Sequence, residues 1–373
     1  MRNYLALGFM DTINSLHRFL LAKFNVDYIA EFRTALGIEQ ALGNLSILET
    51  AKDDTTSERE NERLMGETYD RIIDLIRAKP KGIQKYAFRA LSWIGYATRT
   101  LTIRELLVAI CVEAEQYQLN DGNMYTLESL LDICNGLVVA DEDGQAVRLV
   151  HFSVRNYLDR SKVIPENMRE AYRAIACSTY LSFDILKERH FGGLGRSLPF
   201  LGYAANNLSF HLSKVQHRRH PETTSAILKL LEDEGHRRAY CEAKREIGAP
   251  LEVPRLNMAC AIGYEDVVRT LLKEPGGSLD VNAKDPTEGL TPLAWAVRMG
   301  HEAVVKQLLD EETVDRNCKD SEGRTPLSLA IWDRQMGIVR QLLERGVEVN
   351  FIYNEPKVSQ SDSKNECGGM GAD

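Results

Sequence analysis

Apolar residues in the last third of the chain fall into narrow stripes that recur at a fixed spacing. Thr291-Pro292-Leu293-Ala294-Trp295-Ala296 returns 34 residues later as Thr325-Pro326-Leu327-Ser328-Leu329-Ala330. Val304-Val305-Lys306-Gln307-Leu308-Leu309 returns at the same offset as Ile338-Val339-Arg340-Gln341-Leu342-Leu343. A period in the low thirties marks a stacked repeat, whose units bury their apolar faces only against one another. Each unit reads as two short helices. Threonine caps the first helix, and proline follows at the first helical position, where its missing N–H costs nothing. Leu293, Ala296 and Val297 form one core face; Leu327, Ala330 and Ile331 form its counterpart. Gly300 ends the first helix in a left-handed turn, and Gly289 and Gly323 stand where a tight turn calls for positive φ. Arg334 replaces Gly300 in the next copy, which predicts a looser turn. A third copy, Leu256 to Tyr264 with Val267 to Leu272, lies 37 residues upstream because Glu274–Gly277 and Pro286–Glu288 lengthen its connections. Pro254-Arg255 stands there in place of Thr-Pro, as suits a terminal repeat.

The remaining pattern is mainly helical. Residues 1–80 read as a helical segment with a polar linker at about 52–66, where Lys52 to Arg63 carries charge and no aromatic residue. Residues 81–160 read as one small domain. A helix over Tyr86–Tyr96 is followed by a second opened by the capping box Thr102-Ile103-Arg104-Glu105, and by a third over Thr126–Cys134. Leu137–Ala140 and Ala146–Val150 then alternate about a turn as a β-hairpin, and helix returns at Ser153–Leu158. Three helices and a hairpin predict a winged helix. Residues 161–250 read as a helical spacer, with helices over Met168–Leu186 and Ala226–Leu231 and a glycine-rich loop over Phe191–Ser197. The repeats occupy 251–355, Phe351-Ile352-Tyr353 read as the start of a fourth, and the polar tail 356–373 reads as disordered. The fold class is mainly α: winged helix with a small hairpin, helical spacer and repeat solenoid.

Charge and cysteine usage narrow the function. A net charge of −8 over 373 residues gives no footprint for nucleic acid or anionic membrane. No apolar run approaches the ~20 residues that span a bilayer, and Asp11, His17 and Arg18 interrupt any secretory signal. Seven cysteines without a CxxC pair read as reduced thiols, which places the chain in the cytoplasm.

Two stretches resemble known families. Thr291–His301 followed by Val304–Leu309 closely resembles the ankyrin motif. Ala90–Ala97, Arg99, Leu101-Thr102, Glu105-Leu106, Arg148–Phe152 and Tyr157-Leu158 resemble the winged helix of fungal NACHT–ankyrin proteins, a domain also labelled after GPI inositol-deacylase. That family usually has proline where Thr100 stands. Phe19–Lys23 resembles the helix that closes their nucleotide-binding module, whereas residues 1–16 match it poorly. Tyr180–Phe183 and Pro199–Ala205 resemble their spacer. The resemblance implies NLR-like signalling, in which ankyrins recognise a ligand and a nucleotide-driven module switches state. Yet no GxxxxGK[ST] loop occurs here, so the chain looks like the rear half of such a protein, binding without hydrolysis and using no cofactor.

Candidate chemistry is sparse. The Gly192–Ser197 loop lacks a phosphate-binding lysine and follows no strand. His211, His217 and His220 lie among Lys214, Arg218 and Arg219, and read as a solvated basic face rather than a metal site. His151 reads as a hydrogen-bonded structural residue rather than a base, and no HExxH or GxSxG appears. A hydrolase therefore remains only as an alternative, and no catalytic or metal-binding residue is assigned. A DNA-binding regulator is the other alternative. It is disfavoured by Glu128 and Asp132 on the third helix and by Asp141-Glu142-Asp143 at the wing, which would meet phosphate with like charge. The expected ligand is a protein. In the ankyrin pattern the two positions before the helix-ending glycine face the groove. Here those are Ala261 and Ile262, Arg298 and Met299, and Trp332 and Asp333. The turn residues Glu288, Leu290, Glu322 and Arg324 extend the same face. Trp332 is either its anchor or a cap folded over the unfinished end of the stack.

Overall fold

A computed structural model describes residues 57–119, 124–141, 143–187, 198–215, 220–244, 253–274 and 279–349. The expected helices before residue 50, the Phe191–Ser197 loop, His217, Phe351–Tyr353 and the tail lie outside the described residues. The chain divides into two compact units, 1–251 and 252–373.

The first unit opens with α1 (Ser57–Ala78). The helix corrects the linker reading over residues 57–66: glutamate and arginine are good helix formers, and Arg63 pairs with Glu67 one turn on at 2.9 Å. Its stripe of Met65, Tyr69, Ile72, Ile73 and Ile76 is buried. The winged helix follows as α2 (Lys81–Tyr96), α3 (Ile103–Cys111), α4 (Leu127–Ile133), β1 (Val138–Ala140), β2 (Val147–Leu149) and α5 (Phe152–Ser161). The box at the start of α3 is closed in both directions: Glu105 N–H donates to Thr102 Oγ1, and Thr102 N–H to the Glu105 carboxylate. The strands pair antiparallel, Val139 opposite Arg148. Asp141 fixes their turn by accepting the N–H groups of Gln145 and Ala146 at 2.8 and 3.1 Å. His151 caps α5 through Ser153 N–H, the structural part expected of it.

The spacer comprises α6 (Glu166–Tyr180), a 3-10 turn at Asp184–Lys187, α7 (Leu201–Ser213), α8 (Pro221–Glu232) and α9 (Glu234–Ala243). The single helix expected through Leu186 stops at Tyr180. There the Ser178 and Ser182 hydroxyls turn back to the carbonyls of Ala174 and Ser178, both at 2.8 Å, competing with the backbone ladder.

Spacer and winged helix meet around Trp93 of α2, which is fully buried and edge-on to Tyr172, Phe200, Tyr203 and His211 at centroid distances of 5.4–6.2 Å. A polar chain runs beside it. Arg173 N–H groups donate to the Ser92 carbonyl at 2.9 Å and pair with Glu170. Glu170 accepts from His211 Nδ1 at 3.0 Å, and His211 Nε2 meets the Tyr203 hydroxyl at 3.1 Å. Burial lowers the pKa of His211 against the pull of Glu170, so the ring is neutral. Burial pushes Glu170 up, but the hydrogen bond from His211 and the charge of Arg173 outweigh it and leave the carboxyl lowered. Arg173 is thus the counter-ion, and the imidazole is the neutral link. His211 is buried, not part of a solvated basic face. Its helix turns it inward, where both ring nitrogens find partners.

The second unit stacks three helical pairs: α10 (Arg255–Ile262) with α11 (Glu265–Leu272), α12 (Pro292–Arg298) with α13 (Glu302–Leu309), and α14 (Pro326–Trp332) with α15 (Met336–Glu344). Thr291 and Thr325 cap α12 and α14 through Ala294 and Ser328 N–H, with proline at the first position. Gly289, Gly300 and Gly323 all have positive φ. Arg334 corrects the looser-turn expectation. It takes φ +56°, and the bonds Arg334 N–H to Ile331 and Gln335 N–H to Ala330 reproduce those of Gly300 and His301 in the preceding copy. The closing hydrogen bonds outweigh the steric penalty of a side chain in that conformation. Ile331 is corrected too: it is 45% exposed, whereas its counterpart Val297 is fully buried. Val297 has the next repeat against it; Ile331 lies on the outward face of the last described one.

Candidate functional site

The repeat tips are built on two aspartates. Asp285 accepts the N–H groups of Thr287, Glu288 and Leu290 and the indole Nε1–H of Trp295 at 3.1 Å. Asp320 accepts those of Glu322 and Arg324, and its other oxygen takes Arg324 Nε–H at 2.6 Å. Adjacent loops are tied by Asn282, which donates to the Thr313 carbonyl and accepts from Asp315 N–H, and by Asn317, which accepts from Glu348 N–H. None of these four residues stood out beforehand. The signal was present as Asn-x-Lys-Asp at 282–285 and 317–320, repeated at 35 residues rather than 34 because the first turn carries one more residue.

This frame places several of the expected surface residues together. Arg298 pairs with Glu288, and Arg324 reaches Glu288 at 3.6 Å and Glu322 at 2.9 Å. The result is one charged row across two repeat tips, with the Arg298 guanidinium also 5.6 Å from the Trp295 ring. Trp332 occupies the position of Arg298 one repeat later and is 60% exposed. Asp333 beside it is exposed, and Met299 and Ala261 are half-buried. The Ala261 carbonyl accepts from His301 Nε2 at 3.1 Å.

Two expected surface residues are not on the surface. Leu290 is buried because its turn is pulled inward: its N–H goes to Asp285, and its carbonyl takes Asn257 Nδ2–H at 2.8 Å. Ile262 is buried in the last turn of α10, where hiding an aliphatic side chain is worth about 2 kcal/mol.

None of the described cysteines is in a disulfide. Burial pushes Cys134 up to about 12 and raises Cys177 and Cys260 further, so these are poor nucleophiles. Among the described residues no group of His, Cys, Asp and Glu could hold a metal ion, and no helix is long and apolar enough to cross a membrane.

Comparison with known families agrees with this geometry. Residues 256–352 match the family model for ankyrin repeats, in three copies. Residues 74–167 match that for the GPI inositol-deacylase winged helix domain. The chain is therefore a mainly helical protein joining these two modules, and its ankyrin repeats support a role in protein interaction. No curated protein matches it.

Proposed function

We propose that the chain is a non-enzymatic scaffold whose ankyrin surface holds a protein partner. The observation that carries this is the row at the repeat tips: Arg298, Glu288, Arg324 and Glu322 joined in ion pairs, with exposed Trp332 at the position equivalent to Arg298. Aromatic and arginine side chains presented together are the usual anchors of protein interfaces. The resemblance to NACHT–ankyrin proteins supports a cytoplasmic, NLR-like recognition role. The missing phosphate loop supports binding without nucleotide turnover, so calorimetry with ATP and magnesium is expected to give no heat of binding. The acidic face of α4 (Glu128, Asp132) and the Asp141 turn support a winged helix that packs against protein rather than duplex DNA. The test places a photo-crosslinking residue at position 298, isolates the adduct, and measures the identified partner's affinity. Arg298→Ala and Trp332→Ala are each expected to weaken that affinity about tenfold or more. Undiminished affinity in both variants removes the ankyrin row from the interface.

A further inference from the structure

The winged helix carries a feature that neither the ankyrin reading nor the domain match uses. A pocket of about 390 Å³ opens between the end of α2, β2 and the start of α5. Its floor is apolar, with Leu101, Leu106 and Leu149 among the lining residues. Its walls carry three arginines, Arg99, Arg148 and Arg155, and among the described residues no carboxylate lines it.

The three cations are held in different ways. Arg99 forks onto Glu105 at 2.6 and 2.9 Å and lies 5.1 Å from the Tyr203 ring, so its charge is compensated and its position fixed. Arg155 lies over the Tyr96 ring at 5.0 Å. The nearest acid along its helix, Asp159, takes the Tyr96 hydroxyl at 2.7 Å and Arg169 at 3.1 Å on one oxygen, and Arg155 acts on it only through charge, without a hydrogen bond. Arg148 is exposed on β2 and, among the described residues, forms no ion pair; nor does Arg155. Two guanidinium groups therefore line one small pocket, Arg148 without an acid partner among the described residues and Arg155 with only the longer-range pull of Asp159, in a protein whose net charge is −8. Phe152, 56% exposed, stands at the rim.

We propose that this pocket binds an acidic peptide segment of a partner protein, one oxyanion seated between Arg148 and Arg155 and an adjacent apolar side chain against Phe152 and Leu149. Guanidinium groups suit this because each offers a planar fork to a carboxylate or phosphate. The volume lies at the small end for ligand sites and fits one or two side chains. Charge complementarity selects the occupant, and the apolar floor argues for a peptide over a bare ion. Duplex DNA fits poorly, since a single small pocket offers no track of phosphates. This site lies on the first unit and stands whether or not the ankyrin row binds as proposed.

The test is fluorescence anisotropy of the full chain with labelled hexapeptides. One alternates glutamate with phenylalanine, one carries phosphoserine for glutamate, and one carries glutamine. Both acidic peptides, or either one, should bind at least tenfold tighter than the glutamine peptide. The tighter of the two identifies the oxyanion as carboxylate or phosphate. Binding should weaken as salt rises. R148Q/R155Q should lower affinity at least tenfold at an unchanged thermal midpoint, R148K and R155K should restore it only in part, and R104Q, outside the pocket, should change nothing. Should the double variant unfold, R148Q alone carries the test, since its side chain is exposed. Equal binding of glutamine and acidic peptides overturns the proposal. So do full affinity in the arginine variants, or capture by phosphatidylserine vesicles without binding of any peptide.

Discussion

Single residues at the turns of the stack are held to their conformation by what lies over them, and the strictness differs from copy to copy. At Gly263 (φ +85°) an added Cβ would collide with the His301 imidazole, whereas at Gly300 (φ +74°) the nearest atom, Gln335 Nε2, is 3.4 Å away. Gly263→Ala should therefore destabilise the repeats by more than the ~1–2 kcal/mol of left-handed strain alone, and Gly300→Ala by about that amount. Denaturant unfolding of the two variants reads the difference, and equal midpoints would contradict it. Arg334 pays the same strain without a glycine, so Arg334→Gly should raise stability by up to ~1 kcal/mol. Asp285 is the other decisive residue at this scale. Its carboxylate satisfies three backbone N–H groups and the Trp295 indole. Asp285→Ala leaves the buried Leu290 N–H and Trp295 indole unpaired and should cost ~2–4 kcal/mol, seen as a lower unfolding midpoint. A loss under ~0.5 kcal/mol would mean that water replaces the carboxylate.

At the scale of elements, the last described helical pair differs from the pair before it mainly in what it leaves exposed. Leu343 is 47% exposed, while its counterpart Leu309 is buried, matching the contrast between Ile331 and Val297. Trp332 shares α14 with Ile331 but takes the position of Arg298, whose row runs along the tips. The anchor and cap readings of Trp332 therefore make opposite demands. If it is an anchor, as proposed above, Trp332→Ala should reduce partner affinity while moving the thermal midpoint by less than ~2 °C; a fall of ~4–8 °C, the equivalent of ~1 kcal/mol in a unit of this size, would assign it to the cap instead.

At the scale of the molecule, acid sensitivity concentrates in the first unit. His211 and His236 both have pKa values lowered by burial from 6.5. A histidine depressed in the folded state binds fewer protons there than when unfolded. Its contribution is present above the unfolded value of 6.5 and is lost as pH falls through the lower, folded value. Glu105, Glu113, Glu170 and Asp159 are also lowered, each by hydrogen bonds and cations that outweigh burial, so their contributions fade in turn below the carboxylate range near 4. Stability of the first unit should thus decline from about pH 6.5 downward and more steeply below about pH 4.5. Calorimetric scans across that range check this, and H211F should flatten the upper part of the decline. A midpoint unchanged from pH 7 to 5 would show that His211 does not remain neutral in the fold.

How much of this was legible beforehand follows from the range of each interaction. The caps at Thr102, Thr291 and Thr325, the left-handed glycines and the hairpin about Asp141 are set within a few residues of sequence, and they stand where the pattern put them. So do the repeat period and the buried stripes of α12 and α13, because a stacked repeat displays its packing as periodicity. What the chain could not display was pairing across helices. His211 sits among basic residues in sequence, yet finds Glu170 from 41 positions away and lies edge-on to Trp93. Leu290 and Ile262 occupy tip and groove positions by motif, yet Asp285, Asn257 and the stack draw them inside. Arg99, Arg148 and Arg155 are dispersed over 56 residues and become one pocket wall only when β2 folds back along α2. Local hydrogen bonding and periodicity were written in the order of the residues; burial and the meeting of charges depended on which surfaces the fold brought together.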